Sequence, residues 1–369
     1  MSQTAALIAE HLEDWGFVPF VVSEVFEDSS PEAIAATLDE FCRRSLGAAI
    51  GRCEFFRASV GSVHGLRLRD GRRVVVKVHR PGSSTDFLAA MQTVQRSLAA
   101  EGFPCPQPLL GPSPIGRGVA VTESLLDRGG RADAHDPAIR RELVRTLAWL
   151  VERCRSLAEL DGLRHSAMER QPGRLWPRPH DGRFDFEATS AGAKWIGAIA
   201  EEARRVIDRA RLDEPVVSHA DWRVGNMRFS EGKVSAVYDW DSLRLVPEPE
   251  AVGSVAHFFT ADFGVPNQRR FPTLAEALAF ASEYEAARGK AFTRDEQRAL
   301  RASLIYSMAY AARCAHADRS TQFGRHAPMA NTAPSVREGT AGAFLVAHAA
   351  ELLDTEIAGL PTVERVRSH

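Results

Sequence analysis

Lysine is scarce in this sequence. Only Lys77, Lys194, Lys233 and Lys290 occur in 369 residues, so arginine carries most of the positive charge. Any lysine set in an apolar strand therefore stands out. Cysteine is scarce as well. Cys42, Cys53, Cys105, Cys154 and Cys314 are scattered, odd in number and form no Cys-x-x-Cys pair, which argues for reduced core thiols of a cytoplasmic protein and against a disulfide framework. Neither sign of charge is in excess. The net charge of −2 gives no basic field for nucleic acid and no acidic tail. No apolar run approaches the ~20 residues of a membrane span. Met1–Phe17 has no basic segment before an apolar one and carries Glu10, Glu13 and Asp14, unlike a signal peptide. There is no Gly-x-x-x-x-Gly-Lys-Ser/Thr, which argues against a P-loop nucleotide site. No fixed-period repeat and no low-complexity tract appears. With 44% hydrophobic and 25% charged residues, what remains is an ordinary globular composition, long enough for two lobes and a large core.

The most informative stretch runs from Val216 to Asp241. Two short apolar runs, Met227–Phe229 and Val234–Tyr238, flank Ser230-Glu231-Gly232-Lys233, a turn of the kind that closes a hairpin. A hairpin brings its open ends together, which sets Asp221 and Asn226 near Asp239 and Asp241. Carboxylates and an amide converging on one point suit Mg²⁺ held against phosphates, since that ion takes oxygen ligands and only one or two protein carboxylates. His219-x-Asp221 with Asn226 five residues beyond matches the spacing of a kinase catalytic loop. Asp239-Trp240-Asp241 falls where protein kinases carry Asp-Phe-Gly.

Through these residues the sequence resembles the aminoglycoside phosphotransferase family of small-molecule kinases, a group that includes choline and homoserine kinase-like enzymes. Its pattern is His-Gly-Asp-x-x-x-x-Asn followed by an Asp-Trp pair ending an apolar strand; Ala220 replaces the usual Gly. The resemblance implies an α+β, bilobal protein-kinase-like fold. A helical N-terminal extension (1–50) would precede a β-rich N-lobe (51–123) and a mainly helical C-lobe (124–369). It implies ATP and Mg²⁺ as cofactors and a small-molecule hydroxyl acceptor: a sugar, amino sugar, amino alcohol or, less readily, an aminoglycoside. Asp221 would accept or orient the hydroxyl proton, and Arg223 would face the transferring phosphate or form a salt bridge. Asn226 and Asp239 would hold Mg²⁺, Asp241 a second ion, and His219 would orient the loop.

The rest of the chain fits this frame. Ala5–Trp15 has helical spacing, and Ser29-Ser30-Pro31-Glu32 starts a second helix running to about Leu46. Strands are expected at Cys53–Val60, Leu66–Arg69 and Arg73–Val78, with Asp70-Gly71 as a hairpin turn. Gly61-Ser62-Val63-His64-Gly65 would be a glycine-bearing turn whose backbone amides approach phosphates. Lys77, in Val-Val-Val-Lys-Val, resembles the kinase third-strand lysine that meets the α- and β-phosphates. The following helix, Thr85–Ala100, buries Phe87, Met91, Val94 and Leu98. It lacks the Glu that would pair with that lysine, leaving Gln92 and Gln95. By resemblance, Glu123 and Leu125, after the strand from Gly118, lie at the lobe hinge, where backbone groups meet adenine.

Further on, a helix from Asp136-Pro137 to about Glu159 precedes an irregular segment, 161–190, whose Trp176, His180 and Asp185 are candidates for a substrate pocket. Helices follow at Gly192–Leu212, Thr273–Arg288, Thr293–Ala315 and Ser335–Leu353, with Pro247–Glu250 as a rigid turn. Balanced charge in the C-terminal third disfavours a polycationic acceptor. Two other readings compete with the kinase: a nucleotide-binding regulatory protein without efficient catalysis, favoured by the missing helix Glu, and a metal-dependent hydrolase using His219 and Asp221 as ligands. The oligomeric state has no signature.

Overall fold

The structure, a computed structural model, describes residues 1–14, 18–166, 173–180, 184–266, 268–318, 336–337, 339–357, 360–361 and 363–364. The chain divides into two compact units. The first comprises Met1–Asp127 with short stretches around His180–Phe184 and Asp318, and the second holds most of the remainder.

In the first unit, α1 (Gln3–Asp14), α2 (Val18–Val25) and α3 (Pro31–Phe41) precede β1 (Ile50–Ala58), β2 (Ser62–Leu68) and β3 (Arg73–His79). Helix α4 (Thr85–Ala100), β4 (Pro108–Ile115) and β5 (Gly118–Ser124) complete it. The five strands form one antiparallel sheet in the order β1-β2-β3-β5-β4. Ser30 caps α3 through its side chain, with Pro31 in the first turn, as the sequence predicts. The helix ends at Phe41 and a wider turn, Cys42–Leu46, follows it.

Strand periodicity decides what each face of the sheet does. Val74, Val76 and Val78 of β3 share a core with Ile8, Val22, Phe26, Ile34, Leu38 and Phe41 of the N-terminal helices. The extension is therefore the cover of this sheet face. Gln3 adds a polar clasp, its side-chain amide accepting from the Cys53 backbone amide at 2.9 Å and donating to the Cys53 carbonyl at 3.0 Å. Val75 and Lys77 point to the opposite face. Leu38 is fully buried in the shared core, so Leu38→Ala is expected to lower stability by about 2–5 kcal/mol, read from the urea midpoint by circular dichroism.

The second unit holds α5 (Pro137–Arg153), α6 (Lys194–Arg209), β6 (Val216–His219), β7 (Met227–Ser230), β8 (Lys233–Val237) and β9 (Leu243–Val246). Then come α7 (Glu248–Ala256), α8 (Leu274–Arg288), α9 (Arg294–Ala317) and α10 (Ala341–Leu353). Caps set the boundaries: Asp136 for α5, and a reciprocal Thr273–Glu276 capping box for α8. Two expectations need correction. Pro247–Glu250 is not a free-standing turn. Pro247 caps α7 and Glu248-Pro249-Glu250 form its first turn, where a proline loses no helical bond and acidic residues complement the dipole. The last helix begins at Ala341, with the Thr340 hydroxyl accepting from the Ala343 amide; Val336–Arg337 form a short strand, and Ser335, the expected start, lies outside the described residues. Residues 167–172 and 181–183 of the irregular segment lie outside the described residues, as do Trp15 and Phe17. Among the described residues no helix is long and apolar enough to cross a membrane.

Candidate active site

Two antiparallel pairs assemble the site in the second unit. β6 pairs with β9, setting His219 opposite Leu243, and the Ala220 amide donates to the Ser242 carbonyl at 2.9 Å. β7 pairs with β8, setting Met227 opposite Val237, and the Tyr238 amide donates to the Asn226 carbonyl at 2.9 Å. The loop before β7 and the turn after β8 are thus stitched together along their backbones. The loop is anchored again where the Val224 and Gly225 amides donate to the Phe259 and Ala261 carbonyls, at 2.9 and 3.0 Å. Below it, the fully buried rings of Trp222 and Trp240 flank the imidazole of His219 edge-on.

Asp221 is the polar centre of the loop. The Asn226 side-chain Nδ2 donates to Asp221 Oδ2 at 2.7 Å and to the Asp221 carbonyl at 3.0 Å. Both acceptors demand an N–H, so the amide orientation is fixed by chemistry and Oδ1 is the atom turned away from Asp221. Arg223 Nε donates to both Asp221 carboxylate oxygens, at 2.9 and 3.1 Å. Its guanidinium lies over the Phe263 ring, 4.8 Å from the centroid. The choice left open for Arg223 is thereby narrowed: with its side chain only 15% exposed, its partner is Asp221 itself. Burial pushes the Asp221 carboxyl upward, but the charge and hydrogen bond of Arg223, the charge of His219 and the bond from Asn226 outweigh it. The net shift is downward. Asp221 is therefore anionic throughout the neutral range, and its contribution to stability is complete above the ordinary carboxylate range and lost as pH falls through the lowered value. Replacing Arg223 by Ala removes the largest opposing cause. The acid limb of the pH–rate profile set by Asp221 is then expected to move to higher pH, checked by kcat/KM against pH in both proteins.

His219 is a strut. Its Nε2 donates to the Tyr238 carbonyl at 2.9 Å, and its Nδ1 shares a hydrogen bond of 3.0 Å with the Ser242 hydroxyl. That hydroxyl and the Ser242 amide both reach the Asp239 carbonyl, at 2.8 and 3.2 Å. With both ring nitrogens engaged, His219 is no metal ligand, and the hydrolase reading loses one of its two ligands. Asp239 has φ 70° and ψ 45°, a left-handed conformation that an aspartate tolerates better than a branched residue. The Ser242 bonds hold it there, immediately after Tyr238, which is paired to Asn226. Asp241 lies in the short turn Trp240–Ser242 that follows. Asn226 and Asp239 lie on backbone segments joined by the Tyr238–Asn226 bond, and with Asp241 they are the set of oxygen-bearing side chains expected from the sequence to meet Mg²⁺. Among the described residues no group of three or more His, Cys, Asp and Glu is placed to hold a metal, so a cage built of protein ligands alone is not what this set provides.

The first unit carries the nucleotide candidates, and several sit differently than the sequence suggests. The turn before β2 covers only Ser59–Gly61, where the Ser59 amide donates to the Gly61 carbonyl at 3.0 Å. Gly61 is required because a Cβ there would run into the Val78 carbonyl. Ser62 already belongs to β2, buried and bonded to the His64 imidazole at 3.0 Å. Gly65 lies mid-strand between Phe55 and Val75, and the Phe55 ring fills the space where its side chain would be. Gly65 thus serves packing, and the expected loop through Gly65 is corrected to the turn ending at Gly61. Leu125 is also reassigned: its amide is spent on the Arg73 carbonyl at 3.1 Å, extending the sheet. Glu123, expected at the hinge, is buried on β5. Its carboxylate faces Lys77, with Nζ 3.7 Å from Oε1, and accepts from the Gln95 side chain at 3.0 Å.

Of the pocket candidates, Trp176 stacks on Tyr306 at a centroid distance of 5.8 Å, and Asp185 caps a turn by accepting from the Glu187 and Ala188 amides. His180 packs edge-on to Phe184. These contacts account for the three residues as packing and turn formation. Residues that sequence reasoning missed include Ser242, which ties His219 to Asp239, and the buried Asp262, which pairs with Arg131. Neither carries a motif; the signal for Glu123 was a carboxylate closing an apolar strand.

The family model for the phosphotransferase enzyme family, APH, matches residues 65–301, well over half of the chain. The chain belongs to the APH family. The APH match starts at Gly65 in β2 and ends at Arg301 in α9, so it spans Lys77 and the whole of the loop around Asp221. No curated protein matches the sequence. Among solved structures, the chain is similar to a macrolide 2′-phosphotransferase type I at 14% identity and TM-score 0.50, covering 79% of this chain and 97% of that one. An amicoumacin kinase in complex with AMP-PNP and Ca²⁺ aligns at 12% and 0.51, covering 79% and 85%. The Plasmodium vivax ethanolamine kinase aligns at 12% and 0.51, covering 88% and 90%. At these identities the likeness shows the fold, and that fold is the protein-kinase-like α+β fold expected from the sequence.

Proposed function

We propose that this APH-family chain is an ATP- and Mg²⁺-dependent kinase that moves the γ-phosphate of ATP to a hydroxyl of a small molecule. The observation that carries the reading is the Asp221–Asn226 bond, backbone-stitched to Asp239. One carboxylate is held anionic by Arg223, and Asn226 and Asp239 lie beside it on hydrogen-bonded segments. Phosphoryl transfer asks a protein for in-line positioning and charge neutralisation, with little covalent help. In this reading Asp221 orients the acceptor hydroxyl and takes its proton as the bond to phosphorus forms. Asn226 and Asp239 are the residues that would hold Mg²⁺, which when bound neutralises the phosphate oxygens. Lys77 faces the α- and β-phosphates, and Asp241 serves a second ion or the acceptor. Arg223 holds the Asp221 carboxylate charged and in place. The nucleotide analogue and divalent cation held by the amicoumacin kinase support the choice of cofactors. The intact Asp221, Asn226 and Asp239 weigh against a regulatory protein without efficient catalysis.

The side chains beside Asp221 support a choice of acceptor class. Phe263 lies between Arg223 and Arg270, each 4.8 Å from its ring centroid, and Arg131 pairs with the neighbouring Asp262. Guanidiniums line this side of Asp221, which supports an acceptor other than a polycation. A panel of hydroxyl metabolites and antibiotics assayed for ATP-dependent phosphorylation tests the reading. Neutral sugars and alcohols, or hydroxyl compounds bearing an anionic group, are expected to be turned over faster than polycationic aminoglycosides. Turnover confined to the polycations would refute the acceptor class, and ADP formation with no dependence on any acceptor would refute the transfer itself.

A further inference from the structure

We propose that Glu123 is the positioning residue for Lys77, doing from strand β5 what a helix glutamate does in protein kinases. The inference rests on the nucleotide role of Lys77 given above. Three observations converge on it. First, α4 contains no glutamate; its buried polar residues are Gln92 and Gln95. Gln92 is committed elsewhere, its Nε2 donating to the Leu110 carbonyl at 2.8 Å. Second, Lys77 and Glu123 are 7% and 4% exposed, and their charged atoms are 3.7 Å apart. A carboxylate that deep in an apolar sheet is tolerated only with a charge partner and hydrogen bonds. Third, Gln95 donates to the other oxygen of Glu123 at 3.0 Å. The helix therefore reaches the ion pair through a neutral amide, and the negative charge has moved to the sheet.

The register explains why this works. β3 and β5 are hydrogen-bonded neighbours, with Val75 opposite Glu123 and Lys77 opposite Val121. Residues two apart on a strand share a face, so Glu123 sits diagonally across from Lys77, within reach of a long side chain. An ion pair formed inside one pair of strands is fixed by the sheet itself. It does not wait for α4 to swing inward, as the lysine–glutamate pair of protein kinases does. The anchoring of Lys77 is thus permanently assembled, and displacement of α4 costs only the Gln95 amide.

The test measures equilibrium binding of ATP with Mg²⁺ by titration calorimetry, with thermal unfolding run in parallel on the full-length chain. Glu123→Gln is expected to weaken ATP binding by about tenfold or more, the scale of one charge-assisted hydrogen bond. Lys77→Met weakens it at least as much, and the double variant K77M/E123Q no further than K77M alone. Restoring the carboxylate on the helix in Q95E/E123Q recovers most of the lost affinity, which a merely structural role for Glu123 would not give. Gln95→Leu weakens binding less than Glu123→Gln. Unchanged affinity in Glu123→Gln, while Lys77→Met loses it, overturns the proposal and leaves the kinase reading intact. Unchanged affinity in Lys77→Met overturns the nucleotide role beneath it. Should Glu123→Gln fail to fold, Q95E/E123Q decides: binding near the wild-type strength supports the relocated carboxylate, and a folded protein without ATP affinity overturns it.

Discussion

Replacing Asp221 by Asn lowers turnover at least about a hundredfold, the lower end of what a positioned base contributes, and leaves binding of ATP with Mg²⁺ nearly unchanged. The substitution is almost isosteric. Asn226 and Arg223 keep a neighbour of the same shape, but the group proposed to accept the hydroxyl proton is gone. The lowered protonation point of Asp221 sharpens the expectation. Because the carboxylate is already charged at neutral pH, its loss is a loss of function across the whole accessible range. Steady-state kinetics on an acceptor found by the panel, with ATP affinity measured separately, checks both halves. Wild-type turnover in Asp221→Asn would remove that residue from the chemistry.

Asp239→Ala acts on the other half of the cycle and is expected to abolish the Mg²⁺-dependent part of ATP binding. Asp239 is held in a left-handed conformation by two bonds from Ser242 to its carbonyl, so its carboxylate is presented by a rigid turn. Alanine keeps the backbone contacts and deletes only the oxygens. ATP titrated into the variant with Mg²⁺ and with EDTA is expected to bind equally weakly in both, whereas the wild-type protein discriminates. A variant that still binds ATP more tightly with Mg²⁺ would take Asp239 out of the donor set.

The fold class and the β7–β8 hairpin were legible because their determinants are local. His219, Asp221, Asn226, Asp239 and Asp241 lie in one stretch, and alternating strands around Gly232 leave a single way to bring them together. Glu123 was not legible as the partner of Lys77. Their proximity is set by the pairing of β3 with β5, and register between strands separated by a helix and another strand is not written in either strand alone. Gly65 misled for a different reason. A second glycine four residues after Gly61 suggests a loop, yet here its missing side chain admits the Phe55 ring to the sheet face. Pro249 misled likewise, since a proline that reads as a turn also suits the first turn of a helix. The N-terminal helices were legible as helices, but their place over Val74, Val76 and Val78 required the sheet.

The account depends on Asp221, Asn226 and Asp239 acting as one phosphoryl-transfer centre. Its most direct measurement is ADP formed from ATP by the wild-type protein without any acceptor, in Mg²⁺ and in EDTA, beside the Asp221→Asn variant. Slow ADP release that needs Mg²⁺ and falls away in the variant is the predicted result; release that is absent in Mg²⁺, or indifferent to both the metal and Asp221, would contradict it.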